Sequence, residues 1–137
     1  GIYFEGGVNP YGTGVLLAGI AGFEFGPGTL FREGVSPVNL PGGRELSPHF
    51  LTAYNAGSVP PVPHNGIEPG EQLTVNLYLS SGATYSDLVG QLQEGGLRVG
   101  LHIIALPDGS SFSAIPEPAT VALLGLGSVI LARRRIK

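Results

Sequence analysis

The chain of 137 residues contains no cysteine. A disulfide framework and thiolate chemistry are therefore both excluded, although export is not. Methionine is also missing, position 1 included. The expectation is a processed product or a piece that lacks its natural start. Charge is scarce: 12% of residues are charged, about half the usual share. Disorder does not fit, because 42% of residues are apolar and a disordered chain is poorer in apolar residues and richer in charge. No long helical pattern and no internal repeat is visible upstream of the last two dozen residues.

Turn formers are abundant: 23 Gly and 12 Pro, about a quarter of the chain. With enough Leu and Val for a core, this predicts many short strands joined by turns. Over residues 1–50 the apolar clusters "GIYF", "GVLLAGIAGFEF", "GTLF" and "GVSPVNLPGG" are too short and too interrupted for helices, and edge or sandwich strands fit them. The run Val15–Phe23 has no basic residue before it and contains two glycines, so it reads as a buried strand and not as an export signal. Residues 55–71 form the longest Pro/Gly loop, with tight turns at Asn65-Gly66 and Pro69-Gly70. In "QLTVNLYLS" Leu73, Val75, Leu77 and Leu79 share one face, the alternation of a half-buried strand. Thr84 and Asp87 have capping-box spacing, Leu88 and Leu92 lie four apart, and Gly95-Gly96 can stop a helix, which predicts a short one over 85–94. "LRVGLHIIAL" alternates again and ends in the turn "PDGSS". The fold expected for residues 1–114 is mainly β, a β-sandwich-like domain with one short helix.

The net charge of −3 is unevenly placed. Residues before Pro116 carry −6, while Arg133, Arg134, Arg135 and Lys137 carry +4 at the end. A body of that sign repels nucleic acid, so no nucleic-acid partner is expected. Catalytic constellations are thin. His49, His64 and His102 are not spaced as a metal pair, and His102 lies on a strand whose other face is Leu and Ile. Asp108-Gly109-Ser110-Ser111 offers oxygens for Ca²⁺, but one carboxylate is too few and a hairpin turn explains it. Glu68 and Glu71 are a formal carboxylate pair for glycoside hydrolysis, without clustered partners; solvated loop charges explain them. "GTGVLLAG" lacks the Lys-Ser/Thr of a phosphate loop. Tyr3, Tyr11, Tyr54, Tyr78 and Tyr85 are as readily packing residues as a sugar-stacking platform. No catalytic residue, metal ligand or cofactor is assigned.

The tail "AIPEPATVALLGLGSVILARRRIK" differs from the body. Pro116 and Pro118 bracket Glu117, and each proline disfavours helix in the residue before it, so Ile115 and Glu117 should be extended. An extended, accessible segment suits reading by an enzyme. Residues 119–132 are uncharged, with Thr120 and Ser128 the only polar side chains. As a helix they span about 21 Å, against about 30 Å of hydrocarbon. Snorkelling arginines and bilayer thinning make up such a difference. Length alone favours a docked core helix, but a docked surface helix has a solvated face, and this run has none. Arg133, Arg134 and Arg135 then act as a membrane stop and mark the cytoplasmic side, with the body outside. A C-terminal single-pass transmembrane helix is expected.

In this order, Pro-Glu-Pro, a short Leu/Gly-rich run and a terminal Arg cluster, residues 115–137 resemble the PEP-CTERM sorting signal. The body, most of all "NGIEPGEQLTVNLYL" and "GATYSDLVGQLQEGGLRVGLHIIALPDGSS", is also similar to the β-rich regions found ahead of that signal. The resemblance implies an exported bacterial protein held briefly in the inner membrane. It implies processing by exosortase, an integral-membrane cysteine protease, and a link to exopolysaccharide and biofilm. Pro116, Glu117 and Pro118 would be the sorting motif, residues 119–132 the anchor and residues 133–137 the basic stop. The function expected is that of a non-enzymatic surface or extracellular-matrix protein. The alternative is a carbohydrate-binding module or carbohydrate-active enzyme carrying the same tail.

Overall fold

The computed structural model describes residues 1–62 and 64–116. Seven strands and one α-helix follow in the order β1 (Ile2–Glu5), β2 (Leu17–Phe25), β3 (Phe31–Glu33), β4 (Thr52–Ser58), β5 (Leu73–Leu79), α1 (Tyr85–Glu94), β6 (Val99–Ile103) and β7 (Phe112–Ala114). One 3-10 turn, Gly43–Glu45, lies between β3 and β4. The described part of the chain is thus mainly β, with one short helix. Among the described residues no helix is long and apolar enough to cross a membrane. The transmembrane helix expected over 119–132 lies outside the described residues.

The strands form two unequal sheets. One has five strands in the order β3-β4-β1-β6-β7, and the other is the ribbon β2-β5. All pairings are antiparallel. Side-chain alternation along β1 decides which layer meets which face. Ile2 and Phe4 point to one side and pack with Leu16, Leu17, Leu97 and Val99. The ribbon covers this side through Ile20, Val75, Leu77 and Leu79, and α1 covers it through Leu88 and Leu92. Leu16, Leu17 and Leu97 are fully buried there. Each contributes about 1.5–3 kcal/mol relative to an exposed side chain. Tyr3 points to the other side and packs with Leu40 and Phe50, which come from the long connection between β3 and β4.

That connection was expected to hold a strand around "GVSPVNLPGG". It does not, because residues 34–51 cross the sheet as an irregular strap. Asn55 holds the strap by its side chain, which is buried. Its Nδ2 donates to the carbonyls of Val35, Pro37 and Val38 at 2.9, 3.2 and 3.1 Å, and its Oδ1 accepts from Val35 N at 3.1 Å. The Pro/Gly loop expected from residue 55 therefore begins later. Asn55, Ala56, Gly57 and Ser58 belong to β4, which is held between β1 and β3.

The run read as a buried strand from Val15 is β2, shifted two residues on. It is buried only at its start, at Leu17. Gly19 and Gly22 interrupt its register with β5, at φ 155° and 156°. The bulges bend the ribbon and leave much of its far end open to solvent. α1 forms as its caps dictate. Asp87 N donates to Thr84 Oγ1 at 3.3 Å, Thr84 N donates to Asp87 Oδ2 at 2.7 Å, and Gly95 ends the helix at φ 78°.

Candidate functional site

The site of interest is the edge of the large sheet where the body hands over to the tail. β7 is short and lies outermost, antiparallel to β6, with Leu101 opposite Ala114, His102 opposite Ser113 and Ile103 opposite Phe112. The backbone direction of β6 follows from its bonds to β1. Glu5 N donates to Arg98 O at 3.1 Å, and Gly1 and His102 exchange both backbone bonds at 2.7 and 2.8 Å. Even-numbered residues of β6 thus face β1. By alternation, Val99, Leu101 and Ile103 face β7. The described strand β7 ends at Ala114, opposite Leu101.

Ile115 continues the pattern. It packs against the Tyr3, Leu40 and Phe50 cluster on the strap side. Gly100 makes room there: a Cβ at Gly100 would lie 2.7 Å from Leu40 Cδ2 and 3.3 Å from Phe50 Cζ. Pro116 follows at the rim of a cleft of about 1140 Å³. The cleft runs along the sheet edge. The strap contributes Leu40, Leu46 and Pro48, α1 contributes Val89 and Leu92, and the edge itself contributes Leu97, Val99 and Ile115. No carboxylate is among its described lining residues. Arg98 lines it too, but its guanidinium is committed to Glu5. That pairing holds the Arg98 pKa above its ordinary value.

The other candidate groups are scattered. His102 meets Ser113 Oγ through Nδ1 at 3.0 Å, and partial burial pushes its pKa down. Asp108 closes the hairpin between β6 and β7 by accepting from Ser110 Oγ at 2.6 Å and Ser110 N at 2.9 Å, which lowers its pKa. Glu71 Oε2 accepts from Glu68 N at 2.8 Å and from Thr29 Oγ1 at 3.0 Å, so its carboxylate ties down a loop. Among the described residues no group of three or more His, Asp or Glu could hold a metal. Tyr3 is buried and Tyr54 donates to Leu17 O at 3.4 Å, whereas Tyr11, Tyr78 and Tyr85 are 63, 60 and 76% exposed. Of the sorting motif, Pro116 is described. Glu117 and Pro118, and the stop residues Arg133, Arg134 and Arg135, lie outside the described residues.

Comparison with known families places this junction. Residues 114–136 match the model of the PEP-CTERM protein-sorting motif. The match starts at Ala114, the last residue of β7. The chain therefore carries a PEP-CTERM sorting signal, which marks an exported protein directed to exosortase at the cell envelope. No curated protein matches the chain. No solved structure matches it either.

Proposed function

We propose that the chain is a non-enzymatic bacterial surface or matrix protein, whose acidic β body is delivered by a temporary membrane tail. The inner membrane holds residues 119–132 with the body outside. Exosortase reads Pro116, Glu117 and Pro118, and the arginines at 133–135 stop translocation. The released body then serves at the cell surface or in the extracellular matrix, in company with exopolysaccharide. The match over residues 114–136 carries this reading. The commitment of Glu71, Asp108 and Arg98 to loop, turn and strap contacts supports the non-enzymatic part.

The test is the intact mass of the protein recovered from the surface of a host with an active exosortase. A cut near residues 116–119 is expected. Full-length chain in the membrane fraction, with Lys137 intact, would mean a lasting anchor and would end the sorting reading.

A second reading rests on one observation, the exposure of Tyr11, Tyr78 and Tyr85. Such rings stack on sugar faces, so the body would be a carbohydrate-binding module. Titration with the host's exopolysaccharide checks it. Binding lost on replacing the three tyrosines by alanine supports it, and absence of binding removes it.

A further inference from the structure

We propose that Pro116 is a positioning residue as well as part of the sorting motif: it stops the sheet, so that the motif leaves the folded edge. The inference rests on the sorting reading above. The register Leu101–Ala114, continued by two residues, puts position 116 opposite Val99. Val99 has the same backbone direction as Leu101 and turns its N–H and C=O toward the β7 side. Position 116 is therefore one at which the next ladder bond needs a backbone N–H from the tail. Proline has none, and within sheets it is confined to edges, strand starts and bulges.

One residue earlier the chain is still held, since Ile115 packs in the cluster of Tyr3, Leu40 and Phe50. The next rung, two residues back on the other strand, is closed, because Leu97 N donates to Gln91 O in α1 at 3.1 Å. Val99 is thus the single rung at which β7 could lengthen. A residue with an N–H at 116 would make it, and would draw the first motif residue into the sheet beside the cleft. A protease needs an extended segment that it can surround. A segment bonded to a sheet edge is not available in that way.

The decisive experiment is amide hydrogen exchange on the full unprocessed chain in detergent micelles. Three forms are compared: wild type, Pro116→Val, and Pro116→Val with Ala114→Pro. The last moves the missing donor to the preceding inward-facing position. In Pro116→Val the amide that the substitution adds at position 116 should exchange about tenfold more slowly than in the double variant, because it donates to the Val99 carbonyl. In the double variant that amide should exchange within about twofold of an unbonded one. The Gly100 amide, which faces β1, reports that each form is folded. Should Pro116→Val fail to fold, Pro116→Thr replaces it. A position-116 amide that exchanges equally fast in both folded variants would overturn the inference.

A second arm follows processing in a host with the sorting enzyme. Pro116→Val should be cut about tenfold more slowly, and the double variant should recover at least half the wild-type rate. An equal loss in both would make Pro116 a recognition residue only and would sink the positioning role. Wild type left uncut would sink the sorting reading itself, a result the exchange data cannot mimic.

Discussion

Arg98 and Glu5 meet in a two-point ion pair, Nε to Oε2 at 2.7 Å and Nη2 to Oε1 at 2.7 Å, between β1 and the residue just before β6. The guanidinium does more than neutralise a carboxylate. Nη1 donates to Pro48 O at 3.0 Å, Nη2 donates to His49 O at 2.6 Å, and the group lies 5.4 Å from the Phe50 ring centroid. Glu5 Oε1 also accepts from Leu51 N at 3.0 Å. One pair therefore fastens the strap to the sheet, and the fork geometry of arginine is needed for it.

Replacing Arg98 by alanine should lower stability by about 2–3 kcal/mol, because Glu5 is left partly buried without its counter-charge, with only Leu51 N to satisfy it. Arg98→Lys should recover less than half of that loss, since an ammonium cannot reach both Glu5 oxygens and the two strap carbonyls. Urea unfolding of the three forms checks both values. A lysine variant as stable as wild type would mean that charge alone matters.

Gly100→Ala should cost about 1–3 kcal/mol by overpacking against Leu40 and Phe50. Its φ is not in the left-handed region, so the cost is one of space. Trimming Leu40 to alanine in the same chain should offset part of the clash, which a double-mutant cycle measures.

Asn55→Ala should cost about 2–4 kcal/mol, since the strap carbonyls of Val35, Pro37 and Val38 lose their shared donor. Asn55→Asp should be worse at neutral pH and should improve as the pH falls. An ionised carboxylate there faces three carbonyls, whereas a protonated one can donate to one of them. Thermal unfolding at several pH values shows the sign.

Acid should loosen α1 through Asp87. Bonds from the Thr84 backbone and hydroxyl, together with one from Tyr11, hold its carboxyl below the ordinary value of 3.8. A lowered folded-state pKa gives stability that is present above the unfolded value and lost as the pH falls through the folded one. Helix signal should therefore drop below about pH 4. Asp108 is depressed by Ser110 and titrates in the same window. Asp87→Asn should remove only the helix part of the drop. Thr84→Ala, which deletes the cap acceptor, should cost about 1 kcal/mol.

The elements that could be read from residues alone are those with local causes. α1 has a cap at Thr84, a partner at Asp87 and a stop at Gly95, all within a dozen residues. β5 and β6 are legible because alternation of Leu and Val is a property of each strand by itself. β4 was hidden, since "TAYNAGS" has little apolar alternation. It becomes a strand because β1 and β3 bond it on both sides, with Tyr54 and Ala56 turned to the core. The strap was misjudged for the converse reason: "GVSPVNLPGG" has strand-like apolar residues, but its backbone is held by a distant Asn55 side chain.

The sorting tail belongs to the sequence. A Pro-Glu-Pro motif, an uncharged run of fourteen residues and a basic end are linear features, and their order is their meaning. The tertiary structure decided where that tail leaves the body. It put the last rung at Ala114, set Ile115 into a cluster built from β1 and the strap, and brought Pro116 to the one position where a missing N–H ends a ladder. Strand register is fixed by pairing across the sheet and by which face each side chain must bury, and neither can be read from one strand alone.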